Sequence, residues 1–354
     1  MAFAKRPITS KQKINQAGKI LAENKPNGLT LENAITLTDQ WRACHAYPIN
    51  TFQSTLRRKL KKFANNPLVA QRLKRMPTII QKLRRFPNMQ LARMQDIGGI
   101  RAVLESVCDV YLLADEYKDK SRFDHELAGD GKDYIKSPRD EDGYRSLHLV
   151  YKYKNKKNPE YDGLLVELQI RTKLQHSWAT AVETMGTFLG QALKSRQGDK
   201  EWLDFFALVS SAFASMENTE LLQKHKKMTQ KEIFKSVSKM NDELKVLEKI
   251  RGYSVAVNEI NKRGSSGTGW SYHLIILNSL EKTVQIKPYK RGSIKQATED
   301  YAKVEAEAAK GQKIEAVLVS AGPLSMLRQA YPNFFLDISD FVERIRQIIA
   351  DSKE

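Results

Sequence analysis

The sequence has few of the residues that build covalent or metal-bound scaffolds. Its 354 residues include two cysteines, Cys44 and Cys108, and six histidines. The cysteines form no CxxC pair and have no histidine cluster beside them, so the sequence indicates neither a disulfide framework nor a zinc site.

Long apolar runs are also missing. No segment approaches the roughly 20 consecutive apolar residues that a membrane-spanning helix requires. The first residues, MAFAKRPITSKQK, lack the apolar stretch of a secretory signal. We therefore expect a cytoplasmic protein with no membrane partner. With 354 residues, the chain is long enough for two domains.

Acidic residues are scarce in the first quarter of the chain. The formal net charge is +18, and residues 1–93 contain 19 of the 59 Lys and Arg but only three acids. A region this positive attracts the phosphates of a nucleotide or of a nucleic-acid backbone. The positive charge of this region is equally compatible with a basic helix face that is exposed to solvent and binds no partner.

Hydrophobic spacing predicts a helical N-terminal part. Residues 8–46 are expected to be helical, with an interruption at Pro48. The segment 50–63 is predicted to be a basic amphipathic helix, and a second basic helix is predicted at 68–86. The apolar stripe of the first of these helices contains Phe52, Leu56, Leu60 and Phe63.

Beyond residue 95 the pattern changes to short strands that alternate with helices, which indicates an α+β fold. We place a domain boundary near residue 225, between a larger domain, 1–225, and a smaller α+β domain, 226–354. A charged helical connector is expected at 222–248. Strands are predicted at 95–105, 145–154, 163–172, 253–260, 271–278, 283–289 and 313–321, and helices at 108–119, 172–193, 202–217, 297–310, 323–330 and 338–349.

Two of the predicted strands carry polar side chains that suggest chemistry. In 163–172, strand periodicity places Glu167, Gln169 and Arg171 on one face and apolar residues on the other. In 95–105, Asp96 precedes the strand and Arg101 projects from it. Two carboxylates from neighbouring strand ends are a usual way to hold Mg²⁺ against a polyphosphate. Taken singly, the polar row is also typical of a solvent face, and the Asp-x-Gly-Gly pattern of a tight turn.

Four segments in order resemble the synthetase domain of the RelA/SpoT family, the pyrophosphokinases that make guanosine alarmones. They are RLKRMPTIIQKLRR (72–85), QDIGGIRAV (95–103), DYIKSPRDEDGYRSLHLV (133–150) and VELQIRTKLQHSWATAVE (166–183). The resemblance implies a mixed β-sheet, nucleotidyltransferase-like domain flanked by helices. It also implies transfer of the β,γ-pyrophosphate of ATP to a ribose hydroxyl, with release of AMP.

The resemblance further implies roles for individual residues. Asp96 is expected to bind Mg²⁺, and Glu167 to share the metal or to accept the proton of the acceptor hydroxyl. Arg101 is expected to neutralise phosphate charge, and Gln169 and Arg171 to hold the site in shape. The ATP phosphates are expected to be bound by Arg72, Lys74, Thr78, Lys82 and Arg85. The acceptor is expected to contact Tyr144, which stacks on its base, and Arg145, Ser146, His148 and His176.

Two features of the sequence favour RNA over a free guanine nucleotide as the acceptor. Asp140, Glu141 and Asp142 lie where they would repel the phosphates of a free guanine nucleotide, and Arg57 to Lys62 supply more charge than one ATP needs. These features and the C-terminal domain resemble the toxic small alarmone synthetases of the CapRel fused toxin–antitoxin type. That resemblance implies the 3′ CCA end of tRNA as acceptor, inhibition by the C-terminal domain and activation by a phage capsid protein.

Two other interpretations remain open. One is an alarmone synthetase that uses GDP or GTP as acceptor. The other is a catalytically inactive RNA-binding module, against which the presence of Asp96 and Glu167 argues. No Ser/His/Asp triad competes for a catalytic role.

Overall fold

The computed structural model describes residues 3–63, 68–119, 123, 125–189, 193, 198–250, 270–278, 280–281, 283–310, 312, 314–320 and 338–353. The predicted strand 253–260 and the predicted helix 323–330 lie outside these residues. None of the helices within them is long and apolar enough to cross a membrane.

The described elements alternate as an α+β protein. The helices are α1 (Lys11–Glu23), α2 (Leu31–Ala43), α3 (Ala46–Leu60), α4 (Met76–Arg85), α5 (Val107–Lys118), α6 (Lys173–Leu189), α7 (Lys200–Met216), α8 (Gln230–Leu244), α9 (Ile294–Ala309) and α10 (Ser339–Asp351). The strands are β1 (Leu68–Leu73), β2 (Gly98–Leu104), β3 (Glu126–Leu127), β4 (Lys132–Asp133), β5 (Leu147–Lys152), β6 (Leu165–Thr172), β7 (Trp270–Asn278), β8 (Thr283–Lys290) and β9 (Ile314–Ser320).

A six-stranded mixed sheet organises the larger part of the molecule. Its order is β1-β2-β6-β5-β3, with β4 also paired to β5, and only the β2–β6 pairing is parallel among these neighbours. A separate antiparallel sheet has the order β8-β7-β9. The predicted mixed sheet and smaller C-terminal α+β unit are therefore confirmed.

One face of the large sheet is packed by helices. The apolar stripe of α3, with Phe52 and Leu56 completely buried, joins the same core as Ile100 and Leu168 of the central strands. Because side chains alternate along a strand, packing this face leaves the polar residues of the same strands on the other face.

Two predictions for the N-terminal half are wrong. Residues 68–73 form a strand, not the start of a basic helix, because they pair in antiparallel register with β2; only 76–85 are helical. Pro48 does not interrupt a helix, since α3 begins at Ala46 and continues through it. Proline is tolerated there because the first turn of a helix has backbone N–H groups with no partner in the helix.

The region around the predicted boundary at residue 225 is tightly packed. Phe205 and Phe213 of α7, Val237 of α8 and Phe341 of α10 belong to one apolar cluster. The division of the chain at 225 stays a prediction, but cutting there would expose this cluster to water. Tests of the C-terminal part therefore need point substitutions in the intact chain.

The buried His45 predicts how stability depends on pH. His45 is 1% exposed, and its Nδ1 lies 2.8 Å from the Trp41 carbonyl oxygen. Burial lowers its pKa to about 4. Since the unfolded histidine binds a proton near pH 6.5 and the folded one does not, stability is complete above that pH and falls as the pH drops towards 4. The loss reaches up to about 3 kcal/mol.

This loss can be measured by urea unfolding at several pH values between 7 and 4, compared with His45→Gln. Glutamine can still donate to the Trp41 carbonyl but does not titrate, so its stability should change less over this range. Equal pH dependence in the two proteins would contradict the assignment.

Candidate active site

Polar side chains form a continuous row across the face of the large sheet opposite α3. The strand register places Arg72 opposite Gly99, which lies opposite Glu167, and places Arg101 beside Gln169, which lies opposite His148. Paired positions of neighbouring strands point to the same face. Residues from four strands that are far apart in sequence therefore share one surface.

Asp96 lies just before β2, at the edge of this row. Its two carboxylate oxygens accept hydrogen bonds from Lys74 Nζ and Lys82 Nζ, each at 2.8 Å. Burial alone would raise the pKa of Asp96, but the two ammonium groups outweigh burial and hold the pKa well below its ordinary value. The carboxylate is therefore ionised. Through Lys74, which follows β1, and Lys82 of α4, it links the ends of β1 and β2 to α4.

Glu167 lies in the middle of the row on β6. Its Oε1 is 3.0 Å from His148 Nδ1, and its Oε2 accepts a hydrogen bond from Gln169 Nε2 at 2.8 Å. Burial would raise the pKa of Glu167, but these partners lower it, while the charge of Asp96 acts in the opposite direction. The two predicted carboxylates are therefore close enough for the charge of Asp96 to affect the pKa of Glu167.

The two carboxylates fit a magnesium ion bound together with a nucleotide. Mg²⁺ typically takes one or two protein carboxylates and completes its shell with water and substrate phosphates. The described residues contain no cluster of three or more acids, histidines or cysteines that would hold a metal alone. The donor set therefore suits an ion that arrives with phosphates.

Tyr144 is connected to Glu167 through His148. The Tyr144 hydroxyl lies 2.9 Å from His148 Nε2, and the other ring nitrogen of His148 faces Glu167. Burial would lower the pKa of His148, but Tyr144 and Glu167 outweigh it and raise the pKa to about 9. The aromatic ring expected to hold the acceptor base is thus hydrogen-bonded to the histidine that contacts the expected proton acceptor.

A group of cations faces the same surface. Arg171 is 3% exposed, and its Nε has no hydrogen-bond partner among the described residues. Burial and the nearby charges of Arg101 and Arg72 lower its pKa well below the ordinary value. Its Nη2 contacts His176 Nδ1. Buried cations that repel one another are suited to binding an anion such as a polyphosphate.

Other predicted site residues lie away from the row. Arg145 donates from Nε to Ser210 Oγ of α7 at 3.0 Å, and Ser146 donates to the Ile170 carbonyl at 3.2 Å, so both are tied to the protein interior. Arg85 is exposed at the end of α4. Thr78 lines a cavity of about 250 Å³ between α4 and the C-terminal part.

The loop before β5 contains a pair that sequence reasoning missed. Arg139 forms two hydrogen bonds with Asp142, and its guanidinium lies over the Tyr144 ring. Asp140 accepts a hydrogen bond from the Gln223 backbone N–H at 2.7 Å. Two of the three acids expected to repel phosphates are therefore engaged within the protein. The sequence pattern that could have predicted this pair is the spacing of the two opposite charges, which are three residues apart.

Comparison with protein families identifies this part of the chain. Residues 71–186 match the family described as "Region found in RelA / SpoT proteins". The chain contains a RelA/SpoT synthetase domain. The sequence-based resemblance is confirmed at this level, and the row from Arg72 to His176 lies within the matched residues.

Two curated relatives of the RelA/SpoT domain are proteins of Bacillus subtilis strain 168. The chain is 35% identical over 114 residues to GTP pyrophosphokinase YjbM, covering 32% of this chain and 52% of that protein. It is 28% identical over 123 residues to GTP pyrophosphokinase YwaC, covering 33% of this chain and 57% of that protein. The chain thus matches about half the length of each relative.

Among solved structures, the small alarmone synthetase 1 of Bacillus subtilis bound to its product pppGpp is similar to the RelA/SpoT domain. The sequences are 25% identical, with a TM-score of 0.42, and the match covers 49% of this chain and 89% of that chain.

Proposed function

We propose that this protein is a pyrophosphokinase that transfers the β,γ-pyrophosphate of ATP to a ribose hydroxyl of GDP or GTP. The observation that carries the proposal is the single row joining Asp96 and its lysines to Glu167, His148 and Tyr144. The GTP pyrophosphokinases among its relatives support the guanine nucleotide as acceptor.

The donor half of the row would bind ATP. Lys74 and Lys82 already converge on one point, and Arg72 and Arg101 lie beside it on neighbouring strands. These cations neutralise the phosphate oxygens that gain charge as the bond to the leaving AMP breaks. Asp96 and Glu167 are the residues that would hold Mg²⁺, which would supply further charge neutralisation to the same phosphates.

The acceptor half would position the hydroxyl. The Tyr144 ring holds the base by stacking, while His148 and Gln169 fix the carboxylate of Glu167. Glu167 accepts the proton of the attacking hydroxyl, for which a carboxylate held ionised is suited. Since no covalent intermediate is needed, rate acceleration comes from positioning and charge neutralisation.

Part of each sequence feature that favoured a tRNA acceptor is engaged in contacts inside the folded protein. Asp140 and Asp142 accept hydrogen bonds from groups of this chain. The basic helix α3 packs on the apolar face of the sheet, opposite the polar row, and its Lys59 and the adjoining Lys62 pair with Glu116. A tRNA acceptor remains a prediction of the sequence resemblance.

The acceptor can be identified with ATP labelled on the γ-phosphate. The purified protein is incubated with Mg²⁺ and either GDP, GTP or deacylated tRNA, and the label is located by chromatography. We expect label in the guanine nucleotides. Label in tRNA alone would replace the proposed acceptor, and label in no acceptor, also for the Glu305→Gln protein described below, would refute the pyrophosphokinase.

The C-terminal part contacts the ATP side of the domain, and we propose that it restrains activity. Glu305 of α9 is 7% exposed and forms a salt bridge with the buried Arg42 of α2. Its Oε1 also accepts hydrogen bonds from the Met76 backbone N–H at 3.3 Å and from Tyr301 at 2.9 Å. A carboxylate thus occupies the N-terminus of α4, the helix that carries Thr78 and Lys82.

Loosening this contact is expected to raise activity. Glu305→Gln removes the charge that Arg42 and the α4 N-terminus hold, so we expect several-fold tighter ATP binding and faster transfer. Glu307→Gln is the matched control, because Glu307 is exposed on the same helix. Equal ATP affinity and rate in the two variants would contradict restraint through this contact.

Membership of the toxic branch, and a phage capsid protein as the activating partner, stay predictions from the resemblance. The toxicity can be tested by expressing the Glu305→Gln and Glu307→Gln proteins in cells. Growth arrest restricted to the Glu305→Gln protein is the expected result.

A further inference from the structure

The ring proposed to hold the acceptor base is already covered by a group of this chain. The guanidinium carbon of Arg139 lies 4.5 Å from the centroid of the Tyr144 ring, within the range of a stacked cation. The same guanidinium donates from Nε to Asp142 Oδ1 at 3.1 Å and from Nη2 to Oδ2 at 2.6 Å. This two-bond arrangement is the planar fork that arginine makes with carboxylates.

The covering group resembles one base chemically. Guanine contains a guanidine unit, in which the N1–H and the 2-amino group are attached to the same carbon and point in the same direction. A guanine stacked on Tyr144 could offer Asp142 the same two parallel donors that Arg139 offers now. Adenine has an amino donor next to a ring nitrogen that only accepts, so it cannot satisfy both oxygens of a carboxylate.

The two members of the pair differ in how firmly they are held. The Asp142 side chain is 8% exposed, whereas that of Arg139 is 32% exposed. Asp142 Oδ1 also accepts the Tyr144 backbone N–H at 3.0 Å, which fixes the carboxylate relative to the ring. The Asp142 carboxylate is therefore a fixed part of the site, whereas the more exposed Arg139 guanidinium is the part that a ligand could displace.

We infer that Asp142 determines base specificity by binding the N1–H and 2-amino edge of guanine, and that Arg139 occupies this position until the nucleotide arrives. The inference rests on the proposed function in taking Tyr144 as the seat of the acceptor base. A buried carboxylate left with one donor in place of two is penalised, because its second oxygen loses a hydrogen bond inside the protein.

Inosine diphosphate provides a direct test, because it differs from GDP only by the missing 2-amino group. Binding of both is measured by calorimetry without ATP. We expect the unaltered protein to bind GDP about 10- to 100-fold more tightly than IDP. Asp142→Asn should reduce this ratio to about two-fold, since the amide NH₂ faces another donor. Asp140→Asn, which removes one charge from the same loop, should keep the ratio.

A second variant covers the case in which Asp142→Asn does not fold. Arg139→Ala removes the stand-in, and guanosine is used as the probe because it has no phosphates for Arg139 to attract. Guanosine is expected to bind several-fold more tightly to this variant than to the unaltered protein. Equal or weaker binding would overturn the role assigned to Arg139.

The outcomes separate this inference from the proposed function. GDP and IDP bound equally by the unaltered protein, or a ratio in Asp142→Asn as large as in Asp140→Asn, would overturn the inference even if GDP accepts pyrophosphate. An Asp142-dependent ratio in a protein that transfers pyrophosphate to no acceptor would support the inference and refute the proposed reaction.

Discussion

Replacing Asp96 with asparagine is expected to reduce pyrophosphate transfer by about a thousand-fold. The substitution removes one of the two carboxylates that would hold Mg²⁺ and leaves Lys74 and Lys82 without the charge they now share. Since these lysines can still attract phosphates, ATP binding should change far less than the rate of transfer. The measurement is the initial rate over a range of Mg²⁺ concentrations, alongside calorimetry with ATP.

Asp115→Asn is the matched control for Asp96→Asn. Asp115 is an exposed residue of α5, and α5 does not contribute to the polar row. We expect its rate to equal that of the unaltered protein. A loss of less than ten-fold in a folded Asp96→Asn protein would show that Asp96 does not hold the metal during transfer.

Replacing Tyr144 with alanine is expected to raise the KM for the acceptor by about 5- to 150-fold, the range that stacking of one base on an aromatic ring provides. ATP binding should be nearly unchanged, because Tyr144 lies on the acceptor side, next to His148. The measurement is the steady-state rate with GDP varied at saturating ATP, followed by the reverse experiment.

Tyr144→Phe separates the ring from its hydroxyl. Phenylalanine keeps the stacking surface but loses the hydrogen bond to His148 Nε2. Its KM for the acceptor should stay within a few-fold of that of the unaltered protein, while kcat falls if the hydroxyl helps to position His148 and Glu167. A KM as high as that of Tyr144→Ala would contradict stacking as the function of the ring.

Local patterns were sufficient to predict most strands and the residues that share the polar face of β6. The alternation in 163–172 correctly separates the buried Val166, Leu168 and Ile170 from the polar Glu167, Gln169 and Arg171. The pattern failed at 68–73, where Arg72 among apolar residues, followed by Lys74 and Arg75, suggests a basic helix. Pairing with β2 decides the conformation of this segment, and strand pairing is a tertiary contact that local spacing does not contain.

Contacts between distant segments could not be predicted. The Arg42–Glu305 pair joins residues 263 positions apart, and neither residue belongs to a motif. The engagement of Asp142 by Arg139 depends on the turn at Gly143, whose φ of +79° few residues other than glycine adopt. Sequence reasoning therefore counted Asp142 as a free charge, whereas the folded loop pairs it with Arg139.

Phosphorus NMR of the products formed from ATP and GDP with Mg²⁺ tests the central claim most directly, since it identifies the group transferred and the atom that receives it. The account predicts equal amounts of AMP and of a guanine nucleotide with a new diphosphate on its ribose. ADP with a singly phosphorylated acceptor, or AMP with free pyrophosphate only, would contradict it.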